Sequence, residues 1–276
     1  MRTLLKKGKV KDVYDIGQNQ LLFVFTNRIS SFDLILPSEI PRKGEILCKF
    51  AEFWFTTLNA RNHMIRIKDK NKMIVRKLEI VPIECVVRGY LYGSLFKRVL
   101  NGSVSLPIEP ILASHLPEPI FDPTTKFEKK DRPVTQEEIL SKGWVTKKEL
   151  FWIQEKSIAL YNQMAEICSK AGFIMADVKF EFGRDGDEII LADSLGPDEF
   201  RLWPIDKYKP GEIQISYDKQ LVRDWLIKVG FKEKLDQHEK KENTFPQPPE
   251  LPFKLITKVS KRYAESFERI SNWKLG

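Results

Sequence analysis

The sequence predicts an α+β protein, and three observations carry the prediction. The opening stretch alternates as β-strands, an amphipathic helix pattern runs from Lys147 to about Ala171, and a hairpin pattern follows that helix at once. Periodicity does not say how many lobes these elements make.

Lys6 to Tyr14 alternates like a strand, with Lys9, Lys11 and Val13 on one face and Val10, Asp12 and Tyr14 on the other. Gly17 to Gln20 reads as a turn and Leu21 to Phe25 as a buried strand, so the chain should open on a hairpin whose first arm carries Gly8 and two lysines. Such a hairpin can lie over nucleotide phosphates. It lacks the glycine spacing of a P-loop, and an ordinary edge strand guarded by lysines has the same appearance. The polar run Thr26 to Asp33 beyond the buried strand is loop-like and site-like.

A helix is expected from Glu45 to Asn59, with Ile46, Leu47, Phe50, Phe53, Trp54 and Leu58 on its core face. Met64 to Lys68, Lys72 to Val81 and Pro82 to Arg88 read as strands, the last with Glu84, Val86 and Arg88 on one face. Gly89 to Ser94 is a glycine-punctuated turn, and Ser94 is expected to N-cap a helix from Leu95 to Leu100. A helix start beside Arg88 is either a phosphate seat or a plain capped turn. Residues 101–133 are proline-bearing and aperiodic, which predicts a long loop. Thr146 and Glu149 make a capping box that opens the long helix, and Gly172 closes it. Tyr217 to Leu226 and Phe253 to Trp273 are amphipathic helices, with a charged, proline-rich surface crossing from Gln237 to Pro252.

The long helix leads into Ile174-Met175-Ala176-Asp177-Val178-Lys179-Phe180-Glu181-Phe182-Gly183. On a strand, Asp177, Lys179 and Glu181 share one face and Val178, Phe180 and Phe182 the other. Burying a charged row is costly unless its members are paired or hold a metal. Gly183 to Asp187 has turn chemistry and Glu188 to Asp193 is a second strand. A loop of three or five residues puts Asp193 on the face of Glu181, and a two-residue loop puts it on the opposite face. In the first case two carboxylates and a lysine converge, which suits a hard cation carrying phosphates. A solvated hairpin face with salt bridges is the alternative. Arg201 follows on an expected loop close enough to meet an anion.

The chain has 276 residues, of which 42% are hydrophobic and 30% charged, and no apolar run long enough to span a bilayer. The start lacks the apolar core of a signal peptide. Cys48, Cys85 and Cys168 have no metal-ligand spacing and predict buried free thiols in a reducing, cytoplasmic setting. The net charge of +8 suits anionic partners, and no nucleic-acid motif accompanies it.

Taken together, Gly8 to Tyr14, Arg28 to Asp33, Val81 to Arg88 with Gly93-Ser94, Leu116 to Ile120, Asp177 to Gly183, Pro197-Asp198 with Arg201 and Trp203, and Asp218 to Gln220 with Arg223 resemble the SAICAR synthetase family, in order and over nearly the whole chain. Three positions depart from the family pattern: Asn27 stands for the usual Asp, Tyr92 for a small residue, and Ser194 for the acid that usually follows Asp193.

The resemblance implies a two-lobed fold with a nucleotide cleft like that of kinases and ATP-grasp enzymes. An N-terminal antiparallel-sheet lobe would span residues 1–79 and a larger α+β lobe residues 80–276. It implies an ATP-dependent ligase of purine biosynthesis joining L-aspartate to the carboxylate of carboxyaminoimidazole ribonucleotide, with ADP and phosphate released. By the same resemblance, Gly8, Lys9, Lys11, Lys77, Leu78 and Glu79 would meet ATP, and Glu181 and Asp193 would bind Mg²⁺. Arg88, Gly93, Ser94 and Arg201 would hold the nucleotide's phosphate, with Glu84, Asp177 and Lys179 nearer its base and carboxylate. Lys179 and Asp177 would be catalytic. Ser30 and Asp33 are the suggested aspartate contacts. The implied partners are small molecules, with no nucleic acid and no membrane, and room for a homo-oligomer. An ATP-dependent small-molecule kinase on the same scaffold, or a basic RNA-binding protein, are the competing readings.

Overall fold

The structure is a computed structural model, and it describes residues 2–128, 130–241 and 246–276. Five antiparallel strands form the first sheet: β1 (Thr3–Lys7), β2 (Lys11–Gly17), β3 (Gln20–Phe25), β6 (Met64–Asp69) and β7 (Lys72–Arg76), in the order β1-β2-β3-β7-β6. Gly8 and Lys9 lie in the turn between β1 and β2, not on a strand arm, so the expected two-arm opening is a three-strand meander. The turn is closed by the Gly8 N–H donating to the Lys11 carbonyl at 3.0 Å. A Cβ on Gly8 would stand 2.5 Å from that oxygen, so the turn needs glycine there. Between β3 and β6 come the small hairpin β4 (Arg28–Ser31) and β5 (Leu34–Glu39) and then α1 (Lys43–Thr57).

The second sheet holds the site. Its centre is β12 (Phe173–Asp185), thirteen residues long. The first part of β12 pairs with β9 (Ile83–Tyr90) on one side and β14 (Phe200–Pro204) on the other. The second part pairs with β13 (Glu188–Ala192) and with β8 (Glu79–Ile80). The segment expected as one long loop contains β10 (His115–Phe121) and β11 (Thr124–Thr125), both paired with β9. Its prolines hid the strands, because edge strands tolerate Pro where a central strand does not. Arg201 likewise lies on β14, a strand where a loop was expected.

The remaining helices are α2 (Gly93–Leu100), α3 (Gln136–Ser141), α4 (Lys147–Lys170), α5 (Gln220–Lys228), α6 (Phe231–Lys241) and α7 (Phe253–Ser271). The capping box of α4 forms as expected: Thr146 Oγ1 accepts from the Glu149 N–H and the Glu149 carboxylate accepts from the Thr146 N–H. Helix α2 starts one residue before Ser94, with Tyr92 in the N-cap position and no side-chain cap, which frees the Ser94 hydroxyl for another partner. Part of the expected surface crossing is α6, and residues 242–245 of it lie outside the described residues.

Helix α4 packs on the Val178–Phe180–Phe182 face of β12, where Trp152 meets Phe182 edge-on at 5.9 Å. The opposite face, with Asp177, Lys179 and Glu181, is thereby left to the cleft. Helix α1 is pinned by Phe50, which is fully buried and packs edge-on to both Phe200 and Phe267. Burying an aromatic of this size is worth about 1.5–3 kcal/mol. The three cysteines are buried free thiols, and burial pushes that of Cys48 up to about 12. No described helix is long and apolar enough to cross a membrane.

Candidate active site

Strand register builds the centre of the site. Asp177 lies opposite Arg88 of β9 on one side and opposite Arg201 of β14 on the other. Its carboxylate accepts from both guanidiniums, from Arg88 Nη1 at 3.4 Å and from Arg201 Nη1. Arg88 also donates through Nε to Asp122 at 2.6 Å and through Nη2 to Ser94 Oγ at 3.0 Å. Arg98 donates to the same Asp122 oxygen at 2.5 Å. Gly93 has φ +61°, and a Cβ there would stand 2.8 Å from Arg201 Nη2, so the guanidinium lies directly on the glycine. Among the described residues the buried Nε atoms of Arg201 and Arg98 have no hydrogen-bond partner. Buried donors without acceptors are costly, and here they suit an anion such as a phosphate.

Two residues along the same face, Lys179 lies diagonal to Glu84 and donates to it at 2.6 Å. Its ammonium is also 3.5 Å from Glu181 Oε1. Burial alone would lower the lysine's pKa, but the fields of Glu181 and Glu84 outweigh it and hold the group well above the usual lysine range. Glu181 takes a second cation that the sequence reading missed: Lys126, 2.7 Å from the same oxygen. Lys126 stands just past β11, where the expected long loop offered no pattern to mark it. Burial opposes its charge, yet Glu181 and Asp193 keep its pKa raised.

The β12–β13 turn is Gly186-Asp187, because Asp185 pairs with Glu188. That is the two-residue loop, and strand continuation would carry Asp193 to the wrong face. The chain escapes this by ending β13 at Ala192 and placing Asp193 in the left-handed region, with φ +64°. A non-glycine residue held there is strained, a state that surrounding contacts must over-determine. The contacts are Lys11, which pairs with the Asp193 carboxylate, and His63, whose Nε2 lies 3.0 Å from the Asp193 carbonyl. Burial would raise the Asp193 carboxyl, but Lys11 and Lys126 hold it well below the usual carboxylate range. Glu181 and Asp193 therefore converge on Lys126 by a backbone kink, not by sheet register. Among the described residues no group of three His, Cys, Asp or Glu side chains is arranged to hold a metal.

The other expected residues divide. Lys9 pairs with Asp33 across the cleft mouth. Lys77 pairs with the exposed Asp15 at 3.0 Å, and Leu78 and Glu79 abut Gly183 of β12. Ser30 Oγ accepts from Lys219 at 3.1 Å. Lys219 and its neighbour Arg223, which carry part of the family resemblance but no expected role, both have pKa values lowered by burial first and by nearby cations. The departures from the family pattern are accommodated locally. Asn27 Oδ1 accepts from the Gly44 N–H at 3.1 Å, Ser194 Oγ accepts from Lys11 at 3.0 Å, and Tyr92 is buried beneath Arg201.

Known proteins match this chain along its length. The family model for SAICAR synthetase matches residues 4–240. A phosphoribosylaminoimidazole-succinocarboxamide synthase of Nitrosopumilus maritimus is 47% identical over 269 residues, covering 97% of each chain. That of Candida albicans is 37% identical over 292 residues, covering 98% of this chain and 95% of the relative. Among solved structures, SAICAR synthase of Saccharomyces cerevisiae complexed with SAICAR superposes with a TM-score of 0.84 at 31% identity, over 100% of this chain and 96% of that one. A SAICAR synthetase in complex with ADP superposes with a TM-score of 0.75 at 25% identity, over 98% of this chain and 99% of that one. The chain belongs to the SAICAR synthetase family.

Proposed function

We propose that this chain joins L-aspartate to the carboxylate of carboxyaminoimidazole ribonucleotide, splitting ATP to ADP and phosphate. The observation that carries the reading is the Asp177–Lys179–Glu181 row, each member of which meets charged partners from other elements. A carboxylate resists amide formation because oxide is a poor leaving group. Phosphorylation converts it to an acyl phosphate, which an amine can attack. That chemistry asks the protein to bring three anionic reactants together and neutralise them.

The residues divide the work as follows. Arg88, Gly93, Ser94 and Arg201 hold the nucleotide's phosphate, a role supported by the orphaned Nε of Arg201. Glu84, Asp177 and Lys179 meet its base and carboxylate, and Lys179 stabilises the charge as the carboxylate takes the phosphoryl group. Gly8, Lys9 and Lys11 cover the ATP phosphates, and Lys77, Leu78 and Glu79 border adenine where residues 1–79 give way to residues 80–276. Lys126 joins them as a further phosphate ligand. Ser30, Asp33 and Lys219 border the aspartate.

A buried carboxylate, Glu181, and a half-buried one, Asp193, with lysines between them are the hard-oxygen donor set that Mg²⁺ takes when phosphates complete its shell. Glu181 and Asp193 would hold it, and it would neutralise phosphate charge during transfer. The reactants are all small molecules, so the chain requires neither nucleic acid nor a membrane and works in the cytoplasm. The test is initial-rate ADP release with each reactant omitted in turn, following the succinocarboxamide alongside. The ligase reading requires dependence on both nucleotide and aspartate. ADP formed without aspartate and without amide would favour a kinase.

A further inference from the structure

Glu199 is a carboxylate of the cleft that the assigned roles leave unused. Five carboxylates close to it are engaged: Glu84 by Lys179, Glu181 by Lys126, Asp193 by Lys11, Asp177 by two arginines, and Asp198 by Lys43 at 2.6 Å and the Tyr263 hydroxyl at 3.0 Å. Among the described residues no hydrogen bond or ion pair engages the carboxylate of Glu199, which is half-buried. Its backbone is fixed at both ends. The N–H donates to the Gly196 carbonyl at 2.9 Å, and the carbonyl accepts from the Lys179 N–H at 2.9 Å. The side chain is thus anchored beside the lysine assigned to the reacting carboxylate. Around it stand Asp198 on its own turn, Lys179 on β12, Asp193 after β13 and Lys11 on β2, with Lys219 facing it from before α5 and Tyr263 from α7.

An amino-acid acceptor brings two needs that cations cannot meet. Its ammonium wants an anion, and one of its protons must leave before the nitrogen is a nucleophile. We propose that the Glu199 carboxylate holds the α-ammonium of the incoming L-aspartate and accepts its first proton. The proposal rests on the ligase reading above. The neutral nitrogen then attacks the acyl carbon. The C–N bond forms, the C–O bond to phosphate breaks, the second proton leaves with the phosphate, and the third stays on the amide. Burial, and next the neighbouring Asp198, hold the Glu199 carboxyl above the usual range, towards the working pH where a general base is most effective.

The test is kcat/KM for L-aspartate in the wild type, Glu199→Gln and Glu199→Asp, across pH, with Mg-ATP and nucleotide saturating. Glu199→Gln lowers kcat/KM by about 10²–10³-fold near neutral pH. The deficit shrinks as pH approaches the free amine's own pKa, because solvent then does the deprotonation. Glu199→Asp recovers part of the loss, and KM for ATP and for the nucleotide does not move. A deficit constant across pH, or Glu199→Gln as active as wild type near neutrality, overturns the proposal. A wild type that makes no amide from aspartate at any pH instead overturns the ligase reading itself.

Discussion

Lys9 and Asp33 pair at the cleft mouth with side chains 48% and 53% exposed, whereas Arg88 and Asp177 pair on the second sheet at 5% and 7%. An exposed pair is worth about 0–1 kcal/mol, so Lys9 can exchange Asp33 for another anion at almost no cost. A buried pair cannot be half-removed so cheaply, because the partner left behind stays charged and dry. The comparison teaches a division of labour. The Lys9 contact at the glycine turn of the first sheet is cheap to exchange, and the buried β9–β12–β14 network is costly to disturb.

Breaking the proposed metal pair should have the largest effect. Glu181→Gln and Asp193→Asn are each expected to lower turnover by at least about 10³-fold. Steady-state ADP release would show it, and wild-type activity retained without any added demand for Mg²⁺ would remove them from that role. Next come substitutions that set the two regions against each other. Arg88→Ala leaves Asp177 to Arg201 alone and Asp122 to Arg98 alone and should cost about 1.5–3 kcal/mol in denaturant unfolding. Lys9→Ala should change stability by less than about 0.5 kcal/mol while raising KM for ATP roughly tenfold, the worth of one charge-assisted contact.

The seam between the regions has its own signature. His63 donates its ring N–H to the Asp193 carbonyl, and burial pulls its pKa down to about 4. Between an ordinary histidine pKa near 6.5 and that value, the unfolded chain binds a proton that the folded chain refuses. Stability is therefore full above about pH 6.5 and falls as pH drops towards 4, by about 3 kcal/mol. His63→Gln should flatten that stretch of the pH–stability curve. The smallest effect sharpens the rigid side: Arg201 lies 5.6 Å over the Tyr92 ring. Tyr92→Leu should raise KM for the nucleotide about three- to fivefold, since a partly desolvated cation–π contact is worth roughly 1 kcal/mol. Tyr92→Phe, which keeps the ring, should not.

Much of the rigid side was legible in the sequence, because strand alternation fixes a face. Asp177, Lys179 and Glu181 line one side of β12 as their spacing requires, and Glu84 and Arg88 meet them from β9. What was not legible depends on backbone events that alternation cannot encode. Asp193 reaches the cleft only by a left-handed turn that contradicts its strand register. Lys126 follows a short strand hidden among prolines, and Glu199 lies in a turn. Ser94 reads as a helix cap, yet the helix begins before it and its hydroxyl serves Arg88. The two-lobed fold came from resemblance, since the contacts that join α1 to β14 and α7 are long-range in sequence.

The central claim is that the nucleotide's carboxylate is phosphorylated and then displaced by an amine at the β12 face. Turnover of nucleotide carrying ¹⁸O in both carboxylate oxygens, with Mg-ATP and L-aspartate, tests it most directly. The account predicts one label in the released inorganic phosphate and one retained in the amide carbonyl of the product. Inorganic phosphate free of label, at full amide yield, would contradict it.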